Sequence, residues 1–212
     1  MMFSFDSVIQ KIKDAEVQHN PWPHICIEQF FSESESTRIH KILKEKAPWQ
    51  QESQAVRLST DPQKEIDTIF DIFKKPIFLT EILKKFNLVL PSIHMSAWGH
   101  SWHQQGAKQS PHTDMHLLDN KDNKQYNSLF TQQIYFPDSG HNTNNIEDSG
   151  IWLIKEICDD TGCRFERTKQ IKCKPGTYFC YPNSLDTYHE VPEQTENFDR
   201  ISALSRTLLN YK

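Results

Sequence analysis

Apolar residues in the first third of the chain recur at three- and four-residue spacing. In DSVIQKIKDAE, Val8, Ile9, Ile12 and Ala15 fall on one face of a helix. SESESTRIHKILKEK follows, with Ser32 and Glu35 at capping-box spacing and Ile39, Ile42 and Leu43 facing inward. DPQKEIDTIFDIFKK opens with Asp61 as N-cap and Pro62 at the first helical position, and Ile66, Ile69, Phe70 and Phe73 form its stripe. IFLTEILKKF predicts a fourth, weaker helix. WPHICIEQFF, by contrast, alternates as a short strand does. These stripes are packing faces and carry no chemistry of their own.

After Pro91 the texture changes. Short strand-like runs appear: SIHMSAW, SLFTQQIYF, GIWLIKEI, RFERTKQIKCK, GTYFCY and ISALSRTLLNY. Polar turns separate them, among them DNKDNKQYN, PDSGHNTNNIEDSG, DDTG and CKPG. Many short strands with turn signals predict a jelly roll. The expected protein is therefore mainly β with flanking helices. It is a single domain of 212 residues, with 1–90 a mostly helical support and 91–212 the jelly-roll core.

Charge and composition narrow the function. Net charge is -4 and no dense Lys/Arg run occurs, so neither nucleic acid nor an anionic membrane surface is expected as a partner. Mean hydropathy is -0.69, yet 13 Phe, 6 Tyr and 5 Trp argue against disorder. The start, MMFSFDSVIQKIKDAE, meets charge at Asp6 and has no apolar core of a signal peptide, and no apolar run reaches membrane-spanning length. The expected compartment is the cytoplasm. The five cysteines are Cys26, Cys158, Cys163, Cys173 and Cys180, without a C-x-x-C pair. Cys158 and Cys163 flank the turn DDTG and can face each other across a hairpin; the expected state is a reduced pair of small apolar residues.

The candidate chemistry begins at SPHTDMH, residues 110–116. Residues one apart on a strand point to one side, so His112 and Asp114 can chelate together. On its own the motif is weak, because one His-x-acid is expected by chance among 10 His and 28 Asp+Glu. A third ligand is available in YHEV at His189, and Arg200 and Ser202 follow in strand texture. Two His and one carboxylate on one side of an octahedral iron leave three positions open, the facial triad of non-haem Fe(II) oxygenases. A nearby arginine supplies a fork for a carboxylate.

The order H-x-D, long gap, H, then R-x-S resembles the 2-oxoglutarate- and Fe(II)-dependent oxygenases, most of all the branch around prolyl 4-hydroxylases. The resemblance covers about residues 90–212, with an echo in NPWPHICIEQFFSESES, and PGTYFCYPNSLDTYHEV is similar to the strand and loop that carry the distal histidine. Ser149-Gly150 stands where relatives often have Gly-Gly. The resemblance implies a double-stranded β-helix. It implies that His112, Asp114 and His189 bind Fe(II), and that Arg200, helped by Ser202, pairs with the C5 carboxylate of 2-oxoglutarate. Gln133, Tyr135 and Trp98 are further candidates for contact with that co-substrate. O₂ would be consumed, succinate and CO₂ released, and an unactivated C–H hydroxylated, with ascorbate as a supporting reductant. A carboxylate at position 114 argues against the related halogenases.

Rival assignments stay open at this stage. Arg206 shares strand parity with Arg200, and His116 with His112, though His116 is expected outside the ligand set. His100 and His103 read as mobile loop residues. Loops 99–111, 119–127 and 138–149 are expected to shape the mouth of the site. A cupin-like metal enzyme without 2-oxoglutarate and a non-catalytic β-sandwich module are the alternatives. The substrate, small molecule or peptide, and the oligomeric state are not fixed by the residues.

Overall fold

Helix α1 (Phe5–Asp14) begins at Ser4, whose hydroxyl accepts from the Ser7 amide at 3.1 Å, and it buries Val8, Ile9 and Ile12. Ala15, expected on the same face, is its C-cap. Helix α2 (Glu33–Lys46) opens with the full capping box: Ser32 accepts from the Glu35 amide, and the Glu35 carboxylate accepts from the Ser32 amide at 2.8 Å. Helix α3 (Pro76–Lys85) carries Pro at its first turn and buries Phe78, Leu79, Ile82 and Leu83. The computed structural model describes residues 4–59, 70–88, 94–95, 99–114, 117–119, 125–138, 149–195 and 197–210. The helix expected to start at Asp61 and Pro62, with Ile66 and Ile69, lies outside them. Its last stripe residues, Phe70 and Phe73, are buried, the second in a 3-10 turn over Asp71–Lys74.

The strands are β1 (Ile25–Ile27), β2 (Gln50–Gln51), β3 (Val56–Ser59), β4 (His94–Met95), β5 (Gly99–His103), β6 (Gln109–His112), β7 (Leu117–Asp119), β8 (Gln125–Pro137), β9 (Ile151–Asp159), β10 (Gly162–Ile171), β11 (Tyr178–Pro182), β12 (His189–Val191) and β13 (Arg200–Asn210). All described pairings are antiparallel. The larger sheet runs β1-β11-β8-β13-β5-β3-β2, with β4 also on β13 and β7 on β8; the smaller runs β10-β9-β12-β6. Two antiparallel sheets, with the connections crossing between them, make the expected jelly roll.

Strand alternation divides the core in two. Ile134, Phe136, Tyr178, Cys180, Ile201 and Ala203 leave the larger sheet on the side of the helices, where they join Val8, Ile12, Leu43, Phe73 and Phe78. Their sequence neighbours Tyr135, Phe179 and Tyr181 point the other way and pack with Ile151, Leu153, Ile171 and Val191 of the smaller sheet. The helices thus cover one face of the larger sheet, and its other face is free to build a site. No described helix is long and apolar enough to cross a membrane.

The structure departs from the sequence reading in three places. Residues 1–90 add, beside the expected strand β1, the unexpected β2 and β3 to the larger sheet, so support and core share one sheet. The segment 99–111 is not a loop at its ends: β5 lies between β13 and β3, and His100 is 3% exposed, so His100 and His103 are strand residues rather than mobile ones. Cys158 and Cys163 form a disulfide, not the reduced pair expected: the β9–β10 register sets them directly opposite each other across the hairpin. Of the other two loops, 120–124 and 139–148 lie outside the described residues, as do Trp98 and His116.

Candidate metal centre and cavity

His112, Asp114 and His189 converge: each offers a ligand atom, and the three atoms lie within 4.8 Å of one another. The sheet explains the meeting. β12 pairs with β6 so that His189 stands directly opposite His112, their rings 4.3 Å apart. β6 ends at His112, and Asp114 follows just beyond the strand with its carboxylate 3.9 Å from His189 Nε2. Asp114 and His189 are buried at 4% and 6% exposure.

Both imidazoles are oriented from behind. His112 Nδ1 lies 2.8 Å from the Ser110 carbonyl and His189 Nδ1 lies 3.3 Å from that of Thr187. A ring nitrogen facing a carbonyl donates to it, so in the neutral ring Nε2 carries the lone pair that a metal would take. Two neutral imidazoles and one carboxylate fit a divalent first-row metal with positions left open. Asp114 is held as well: Tyr181 donates its hydroxyl to Oδ2 at 2.6 Å, and Thr131 to the same oxygen at 3.0 Å. Among the described residues two other groups of such side chains meet, and neither has this character. In the first, Cys158 and Cys163, beside Glu156, are bonded to each other; in the second, His40, Asp138 and Asp199, the Lys44 ammonium already sits on Asp199 at 2.5 Å.

A cavity of about 590 Å³ joins the triad to Arg200. Arg200 opens β13 and is 1% exposed. One terminal nitrogen donates to the Gly150 carbonyl at 2.8 Å, while Nε and Nη2 are buried without a partner. Two unpaired N–H sites on a buried cation are costly unless something anionic meets them. Gly150 is positioned for this by its φ of +93°, and a Cβ there would stand 2.0 Å from the Ile171 carbonyl oxygen, so the Ser149-Gly150 turn tolerates only glycine at its second residue.

The remaining expected residues form a polar strip. Ser101 and Ser202 hydroxyls lie 2.7 Å apart, Gln133 Nε2 donates to Ser202 at 3.2 Å, and Tyr135 donates to Gln133 Oε1 at 3.3 Å. Ser101 and Gln133 line the cavity; Ser202 and Tyr135 are fully buried beside them and do not reach its wall. Burial pushes the Tyr135 phenol well up, against the pull of the Arg200 charge, so it stays a hydroxyl donor. His103 pairs with Arg200 across β5 and β13; burial, then the Arg200 charge, hold its imidazole well below 6.5 and neutral. The Arg206 side chain lies outside the described residues.

Sequence reading missed the wall from the β2–β3 turn and β3, where Glu52, Ser53, Val56 and Leu58 line the cavity, and the two donors on Asp114. A signal for the donors existed. Thr131 shares strand parity with Gln133 and Tyr135, and Tyr181 with Phe179, so both point inward with the site.

No protein-family model and no curated protein sequence matches the chain. Solved structures do. The viral collagen prolyl hydroxylase of Paramecium Bursaria Chlorella virus-1, in complex with 2-oxoglutarate, is 15% identical and has a TM-score of 0.56 over 87% of this chain and 95% of its own. An oxidoreductase of the 2-oxoglutarate–Fe(II) oxygenase family from Burkholderia pseudomallei is 11% identical, with a TM-score of 0.56 over 97% and 90%. A prolyl-4-hydroxylase from Pseudomonas putida is 10% identical, with a TM-score of 0.55 over 96% and 98%. At these identities the likeness establishes the fold, the double-stranded β-helix of such oxygenases, over nearly the whole chain.

Proposed function

We propose that the chain is an Fe(II)- and 2-oxoglutarate-dependent oxygenase that hydroxylates an unactivated C–H of an amino acid, a peptide or protein side chain, or a small metabolite. One observation carries the reading: a His-Asp-His ligand set and a buried arginine with two unpaired N–H sites open into one cavity. In a cupin-like metal enzyme without a keto-acid, the arginine would instead be structural or bind an anionic substrate. The solved oxygenase and prolyl hydroxylase structures of this fold support the oxygenase reading.

His112, Asp114 and His189 would hold the iron, which supplies activation of O₂ when bound, at the expense of 2-oxoglutarate carbon. The rest is done by this chain. Arg200 takes the C5 carboxylate on Nε and Nη2, a forked pair of charge-assisted hydrogen bonds, and stays fixed through Gly150. Ser101 and Gln133 flank that carboxylate with neutral donors, braced by Ser202 and Tyr135. Neutral His103 adds no second charge beside Arg200. The walls from β3 and β12, with Val56, Leu58 and Val191, are apolar and limit water near the metal.

The test is an anaerobic Fe(II) titration with 2-oxoglutarate, followed by visible absorption. A keto-acid chelated to ferrous iron gives a weak charge-transfer band, expected for the native chain and lost in His112→Ala and His189→Ala. A folded protein that binds Fe(II) but gives no band with the keto-acid would sink the reading and leave the cupin-like alternative. Succinate formation under air is the second readout.

A further inference from the structure

Tyr181 is fully buried at 1% exposure, and its ring packs on Trp22 and Phe179 with centroids 5.0 and 5.1 Å away. A phenylalanine would fill that space as well. What the hydroxyl adds is contact with two members of the triad at once: 2.6 Å to Asp114 Oδ2 and 3.4 Å to His189 Nε2, the nitrogen left for a metal. It does not act on the carboxylate alone, since Thr131 from β8 donates to the same oxygen. Two donors from two neighbouring strands therefore converge on one oxygen of the only carboxylate in the set.

We infer that Tyr181, assisted by Thr131, is a positioning residue for the metal: its O–H clamps the Asp114 carboxylate in one orientation and keeps it a monodentate ligand. The inference rests on the metal reading of His112, Asp114 and His189. A carboxylate whose Oδ2 already accepts two hydrogen bonds cannot turn to give both oxygens equally to a metal. That matters here, because a bidentate aspartate would occupy one of the three positions that a chelating co-substrate and a third ligand need. It also arrives in place before the metal does, so less orientational freedom is lost on binding.

The rival is a phenolate bound directly to the metal. Charge argues against it. A second anion beside Asp114 would cancel the metal's positive charge and repel an incoming dicarboxylate, whereas a phenol donating at 2.6 Å is the short, charge-assisted bond of a neutral donor on a carboxylate.

The experiment is a Co²⁺ titration without any keto-acid, read from the d–d absorption, on the native chain, Tyr181→Phe, Thr131→Val and His189→Ala. Tyr181→Phe should weaken Co²⁺ by about 10-fold or more, and Thr131→Val by a smaller factor, with altered d–d band positions in the first. A merely structural tyrosine would lower the melting temperature of the metal-free protein but leave affinity and spectrum alone. Affinity within about two-fold of native in folded Tyr181→Phe overturns the inference while the metal reading stands. A ferric native protein with a phenolate-to-iron charge-transfer band, lost in Tyr181→Phe, overturns it in favour of direct ligation. Should Tyr181→Phe not fold, Thr131→Val decides, and native affinity there overturns the clamp. Native protein that takes up no Co²⁺, or takes it up equally in His189→Ala, defeats the metal reading itself and the inference with it.

Discussion

Arg200 is held at 1% exposure with two of its three nitrogens unpaired. A buried cation left in that state works against folding, and removing it from a site without its anion costs little or helps. The same guanidinium should dominate binding of the anion, since hydrogen bonds between charged groups contribute about 1.5–3 kcal/mol each. The two effects have opposite sign, and together they separate a ligand site from a structural ion. In Arg200→Met, 2-oxoglutarate affinity should fall by at least about 100-fold, the equivalent of about 2.7 kcal/mol, while Co²⁺ affinity stays within about two-fold. The ligand-free variant should melt no lower than the native chain. Calorimetric titration and a thermal melt check this, and a keto-acid affinity unaffected by the substitution would remove Arg200 from the site.

The β9–β10 hairpin shows how an element delivers that arginine. At its base, Gly150 has φ +93° and its absent Cβ would lie 2.0 Å from the Ile171 carbonyl oxygen and 2.8 Å from the Cys173 amide nitrogen. At its tip, Gly162 has φ +130° with nothing within 4 Å. Alanine at the tip carries only the backbone penalty, about 1–3 kcal/mol. Alanine at the base must also push the neighbouring backbone away and shift the carbonyl that holds Arg200, so Gly150→Ala should lose about 2–4 kcal/mol in urea unfolding and weaken 2-oxoglutarate as well. Equal losses at both positions would show that close approach at the base is not what glycine serves. Much of this level was legible beforehand. The Ser32 box and the parity of His112, Asp114, Gln133, Tyr135, Arg200 and Ser202 follow from local pattern, and the structure puts them together or in contact with one another. β2 and β3 were not legible: Gln50–Gln51 has no apolar alternation, and its pairing with β3 at the sheet edge is set by tertiary contact. β5 was misread for a related reason. Its polar GHSWH lines a cavity on one face, so burial there selects histidine and serine rather than the apolar residues by which a central strand is recognised.

At the scale of the molecule, the two sheets and the helices bury neutral histidines in two separate packing regions. His24 precedes β1, has no exposed surface and faces Trp22 and Phe179. His100 lies in β5 against Phe70, on the side of the helices. Burial is the main cause in both, and each pKa is lowered from 6.5 to about 4. In the unfolded chain both return to 6.5. Between these values the unfolded chain takes protons that the folded chain refuses, so stability falls as pH drops from about 6.5 towards 4 and is level above that window. The slope is at most about 1.4 kcal/mol per pH unit for each histidine, or about 3–6 °C of Tm at this chain length. Carboxylates titrate in the same region, so the informative quantity is a difference. In metal-free protein, His24→Gln and His100→Gln should each lower Tm at pH 7.5 through lost packing. Each variant's Tm relative to native should then rise steadily as pH falls below about 6.5, because the variant no longer has a proton to refuse. His112 and His189 are present in both members of each comparison and cancel. A difference that stays flat down to pH 4.5 would mean that both imidazoles are protonated in the folded state, and that the interior on either side of the larger sheet admits more water than its packing indicates.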